Sequence, residues 1–118
     1  MYDAPRPPTD APAHVAVVTG ATGAIGSATA GRLLEAGWQV ALMARDEERV
    51  RALSARLGPR STPFVADAVS SASVDAAFGQ VVATMGPPSA FVHAVGSTLL
   101  RPAHAISDDD FADVIATN

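Results

Sequence analysis

Short apolar runs alternate along this chain with longer stretches whose apolar residues recur at helical spacing. The runs are residues 14–19 (HVAVVT), 39–44 (QVALMA), 62–66 (TPFVA) and 89–93 (SAFVH). Near-continuous apolar runs of this length suit strands buried on both faces. Residues 25–36 are rich in helix formers and close at Gly37, a natural residue just past a helix end. Asp46 is placed to cap a second helix, with Glu47 and Glu48 in its positive first turn. Val50, Leu53 and Leu57 mark that helix's apolar face, and Gly58-Pro59 stops it. Val74, Phe78, Val81 and Met85 share one face of a third helix, closed by Gly86-Pro87-Pro88. Residues 94–106 read as loop. Ser107 and Asp110 resemble a capping box, after which Phe111, Val114, Ile115 and Asn118 fall on one face of a fourth helix. The order β-α-β-α-β-α-β-α predicts a doubly wound α/β fold, a parallel sheet with helices on both faces.

Composition narrows the chemistry. The 118 residues suit one domain. Residues 1–13 carry Pro5, Pro7, Pro8 and Pro12 and are expected to be a disordered tail, leaving 14–118 as the folded unit. All eight basic residues are arginines. The absence of lysine excludes a Schiff-base enzyme and a Walker phosphate loop, and the absence of cysteine excludes thiolate chemistry. A net charge of −4 with scattered arginines argues against nucleic acid. No run is long enough to span a membrane, so no membrane partner is expected and a cytoplasmic protein is the default. His14 and His104 have no spaced partner, and no metal site is proposed.

The chemistry-bearing stretch is Thr19-Gly20-Ala21-Thr22-Gly23-Ala24-Ile25-Gly26, between the first strand and the first helix. Such a turn presents unpaired N–H groups at a positive helix end and attracts an anion. Gly20 allows a sharp turn, Gly23 removes a Cβ where a pyrophosphate would approach, and Gly26 allows close helix packing.

This turn resembles the TGxxxGxG signature of the short-chain dehydrogenase/reductase family, and the resemblance covers about residues 14–118. Ala24 stands where the compact branch of that family usually has its middle glycine. Gly20, Gly23 and Gly26 also fit the TGxxGxxG spacing of the extended branch, which includes sugar epimerases and dehydratases. The resemblance implies a Rossmann-type sheet, partial at about four strands, in the order 3-2-1-4. It implies a nicotinamide dinucleotide held by Gly20, Thr22, Gly23, Ala24, Ile25 and Gly26. Ala44-Arg45 at the end of the second strand is similar to the pattern that favours NADP(H) over NAD(H), with Arg45 on the 2′-phosphate. The other reading of Arg45 is a surface arginine paired with Asp46 or Glu48. Asp67 matches the family's acidic residue near the adenine amino group, with Ala68 following, or is a plain turn residue. Residues 92–96 (VHAVG) resemble the family's NNAG motif only at Gly96. His93 and Ala94 replace its asparagines, and small residues there admit the cofactor. His93 could bond a neighbouring strand or the ribose, or simply fill space.

Residues 107–118 resemble the family's segment ending in a functional asparagine, which implies a catalytic role for Asn118. The family's tyrosine, lysine and serine sit on a fifth strand and the helix after it. Here no lysine occurs, and the single tyrosine, Tyr2, lies in the proline-rich stretch. The expectation is the cofactor half of an NADP(H)-dependent carbonyl/alcohol oxidoreductase, without turnover by itself. The parent enzyme would act on a small-molecule carbonyl or alcohol and form a homo-oligomer. The alternatives are a non-catalytic nucleotide-binding or regulatory module, and a fragment of an extended-branch epimerase or dehydratase. A bare edge at Phe91 and Val92 is expected to make the isolated chain self-associate.

Overall fold

The computed structural model of the chain describes residues 13–118. The proline-rich stretch read as a tail lies, apart from Ala13, outside the described residues, and so does Tyr2. The elements run β1 (Val15–Thr19), α1 (Ala24–Glu35), β2 (Gln39–Ala44), α2 (Glu47–Leu57), β3 (Ser61–Val65), α3 (Ser71–Met85), β4 (Ala90–His93) and α4 (Asp108–Thr117). A short 3-10 turn, Ala103–Ala105, interrupts the long loop before α4. The four strands are parallel in the order β3-β2-β1-β4.

Each strand of the centre is buried on both faces, as its unbroken apolar run requires. Val18, Val40 and Leu42 pack with Ala30 and Leu34 of α1 and Val50 and Leu53 of α2. Val15, Val17 and Met43 pack on the opposite face with Phe64 and with Ala77 and Val81 of α3. The spacing of Val50, Leu53 and Leu57 therefore serves one face of the sheet, and that of Val81 and Phe78 the other.

Three helices begin on side-chain caps. Asp46 accepts from the Arg49 N–H at 3.0 Å. Ser70 accepts from the Ser73 N–H at 3.3 Å, which starts α3 three residues before the first apolar position used to infer it. Ser107 and Asp110 form the full capping box at α4. The Asp110 carboxyl lies below the ordinary aspartate value, held there first by the Ser107 N–H and hydroxyl and then by Arg101 at 3.2 Å. The third strand starts at Ser61 rather than Thr62, because Ser61 already pairs with Val40 of β2; its hydroxyl also donates to the Gly58 carbonyl at 2.7 Å.

The fourth strand and fourth helix are less covered. Phe91 is 55% exposed, as expected of a bare edge, whereas Val92 is half-buried against the α1 side of the core. Phe111 and Ile115, the apolar stripe of α4, are 65% and 64% exposed. Among the described residues, no helix is long and apolar enough to cross a membrane.

Candidate functional site

A cavity of about 390 Å³ opens at the ends of β1, β2, β3 and β4. Strand β1 has β2 on one side and β4 on the other, so the connections leaving the sheet diverge there and leave a crevice. Gly20, Thr22, Gly23, Arg45, Asp67, Ala68, Ala94 and Gly96 all line it, residues from four separate stretches of sequence. Ala24, Ile25, Gly26 and Asn118 do not. Ile25 points its side chain to solvent, and Gly26 lies behind the turn.

The turn is built on backbone proximity. Gly20 has φ +64°, and a Cβ on it would overlap the Ala94 carbonyl at the end of β4. A Cβ on Gly26 would overlap the Gly20 carbonyl, so the close approach this glycine permits is to the turn itself. Gly23 is exposed, and its Cβ direction meets only the Gly20 carbonyl, at 3.4 Å. It is also the N-cap of α1, where no side chain caps the helix. The positive end of α1 is thus uncapped beside the cavity, while α2, α3 and α4 are each capped by an acidic or hydroxyl side chain.

The remaining walls carry polar groups of distinct kinds. Arg45 is exposed and, among the described residues, makes no ion pair; Asp46 is turned to the α2 N-terminus instead. The paired-arginine reading is therefore not what the fold shows. Asp67 accepts from the Val69 N–H at 3.1 Å through one carboxylate oxygen, while its own N–H donates to the Ser73 hydroxyl. It is a turn residue and a cavity residue at once. His93 bonds a neighbouring strand: its Nδ1 lies 2.8 Å from the Thr19 hydroxyl.

Asn118 is exposed, not buried on an apolar face as its helical position suggested. Its amide turns back to the loop after β4, accepting from the Ser97 N–H and donating to the Ser97 carbonyl, both at 2.8 Å. Gly96 lies under this contact, and a Cβ there would come 3.1 Å from the Asn118 oxygen. Ser97 and Thr117 also line the cavity, as do Val69 and Val74. Sequence reasoning missed these four. Ser97 was findable as the neighbour of Gly96, but nothing local marks Val74 on α3.

Comparison with known proteins follows the same lines. The sequence model for short chain dehydrogenase matches residues 14–118. The D-threitol dehydrogenase of Mycolicibacterium smegmatis is 35% identical over 107 residues, covering 88% of this chain and 41% of that protein. An uncharacterized oxidoreductase of Mycobacterium tuberculosis is 45% identical over 62 residues, 52% of this chain and 24% of that one. Among solved structures, a variant of actinorhodin polyketide ketoreductase with NADPH superposes with a TM-score of 0.85 at 31% identity, over 89% of this chain and 41% of that one. A short chain dehydrogenase from Mycobacterium smegmatis gives 0.85 at 29%, over 89% and 45%. The chain thus spans about two fifths of the length of the relatives it matches.

Proposed function

The chain belongs to the short-chain dehydrogenase family, and on that premise we propose that it carries the cofactor half of an NADP(H)-dependent carbonyl/alcohol oxidoreductase. The observation that carries the cofactor reading is the uncapped N-terminus of α1 beside a cavity whose floor, Gly20, admits no side chain. A pyrophosphate meets free N–H donors there, close to bare backbone at Gly20 and Gly23. Thr22, Ala24, Ile25 and Gly26 complete this anion cradle, the last three through their position in the first turn of α1. Asp67 and Ala68 take the adenine end, where the second Asp67 oxygen is left for an exocyclic amine. Ala94 and Gly96 leave room for the cofactor along β4.

Arg45 selects NADP(H). A guanidinium at the end of β2 that makes no ion pair among the described residues suits a 2′-phosphate through charge-assisted, bidentate bonds. When bound, the cofactor supplies or accepts the hydride. Asn118 fixes the cavity wall by holding Ser97, and stands as the chain's member of the catalytic set. The 118 residues contain no lysine, so no Tyr-x-x-x-Lys pair can be assembled from them, and the chain alone binds without turnover. The parent enzyme is read as cytoplasmic and homo-oligomeric, with a small carbonyl or alcohol as substrate.

Fluorescence titration of the chain with NADPH and NADH tests this. NADPH should bind about 10- to 100-fold more tightly, in keeping with the about 1.5–3 kcal/mol that hydrogen bonds to charged groups contribute. Arg45→Ala should erase the difference. Equal binding of both nucleotides by the unmodified chain would refute NADP(H) selectivity. Oxidation of NADPH with any ketone, above a protein-free control, would refute the claim of no turnover.

A further inference from the structure

We propose that His93 is a positioning residue of the nucleotide site, acting through Thr19 to set the spacing between the ends of β1 and β4 on which the glycine turn rests. Thr19 and His93 are the last residues of their strands and face each other in register. Thr19 is only 8% exposed, so its hydroxyl needs a partner inside the fold. The near partner is His93 Nδ1 at 2.8 Å; the Val92 carbonyl is at 3.5 Å. The His93 ring is aimed by stacking, with its centroid 6.0 Å from Phe91, which itself lies 5.8 Å from Phe78 of α3. His93 does not line the cavity, so its effect passes through another residue.

That residue adjoins the turn. Thr19 leads directly into Gly20, which abuts the Ala94 carbonyl and the Val95 nitrogen with no slack. The Ala94 N–H donates to the Thr19 carbonyl at 3.1 Å. Any drift of β4 against β1 is therefore passed to Gly20 and to the donors beyond it. The imidazole bond sits where such drift starts, at the strand that forms the sheet edge among the described residues.

The inference rests on the cofactor reading above, and its test separates the two. His93→Phe keeps an aromatic ring on Phe91 but removes Nδ1. His93→Asn restores a polar δ atom bonded to Cγ, at the same distance along the side chain as Nδ1. Thr19→Val removes the other half of the bond, and Thr19→Ser keeps it. NADPH titration of the full chain, with thermal melting alongside, should show His93→Phe and Thr19→Val each weakened about 3- to 10-fold, the effect of one hydrogen bond. The double variant should be no weaker than either alone, since both remove the same contact. His93→Asn and Thr19→Ser should bind like the unmodified chain, and affinity should not follow the melting midpoint. Unchanged affinity in His93→Phe, additive losses, or failure of Asn to rescue would overturn the role of His93 while leaving the cofactor reading intact. If His93→Phe does not fold, the Thr19→Val and Thr19→Ser pair decides the same question from β1. No NADPH binding by the unmodified chain would overturn both.

Discussion

On the β2 side of β1, Val40, Ala41 and Leu42 are sealed from solvent, with α1 and α2 closed over Val40 and Leu42 and α3 on the face of Ala41. On the β4 side, Phe91 is more than half exposed, and the loop and helix that follow present Leu100, Phe111 and Ile115 to solvent. The cavity straddles this division. Gly20, Thr22, Gly23 and Arg45 belong to the packed side; Ala94, Gly96, Ser97 and Thr117 belong to the open side. Local opening is least costly where few apolar contacts are lost, so the wall formed by residues 94–97 and α4 is the part of the site with the lowest local stability.

The contrast is sharpest between one substitution on each side. Leu42→Ala should destabilise the chain by about 2–5 kcal/mol, whereas Phe111→Ser should change stability by no more than about 0.5 kcal/mol. Denaturant melts of the two variants check this. A large loss from Phe111→Ser would mean that α4 is packed in solution and would break the division. Gly20→Ala is next, because it crosses the boundary. A side chain at positive φ that also meets the Ala94 carbonyl should cost more than about 2 kcal/mol and abolish NADPH binding together. Asn118→Ala acts only on the open side. It should speed hydrogen exchange at the Ser97 amide while leaving exchange in β1 and β2 unchanged.

The smallest effect is a pH effect. The Asp110 carboxyl is held below its ordinary value in the folded chain, so its contribution to α4 is present above the unfolded value and is lost as pH falls through the folded one. Acid titration followed by NMR should show the Ser107 and Asp110 amides of the capping box shifting together, before the β1 and β2 amides respond. Asp110→Asn should remove that step.

What could be read along the chain was whatever local chemistry dictates. The Asp46 cap, the Ser107–Asp110 box and the apolar run of β2 are each decided by a few neighbouring residues, and each stands in the fold where its pattern put it. The strand order also agreed, but it was implied by the family resemblance rather than read from local chemistry. Burial of α4 was not legible. Phe111, Val114 and Ile115 make an amphipathic stripe, but a stripe records only a demand for a partner, not that one is present. Asn118 illustrates the same limit: helical spacing put it on the apolar face, and its amide instead reached back 21 residues to Ser97. Within the site, Arg45 and Asp67 could be located but not resolved between ligand and scaffold roles. In the fold Asp46 is occupied at its own cap, while Asp67 serves its turn through one oxygen.

The Asn118–Ser97 contact closes a ring of main chain 21 residues around. A flexible ring of that size would cost roughly 3 kcal/mol of chain entropy to tether, and less here because α4 fills ten of its residues. Two hydrogen bonds return about 1–3 kcal/mol net. The clasp is thus close to balance between shut and open, aided by the Arg101–Asp110 pair within the same ring. Any molecule that touches Gly96 and Ser97 only in the shut ring is bound more weakly by the share of chains that are open, and in return draws them shut.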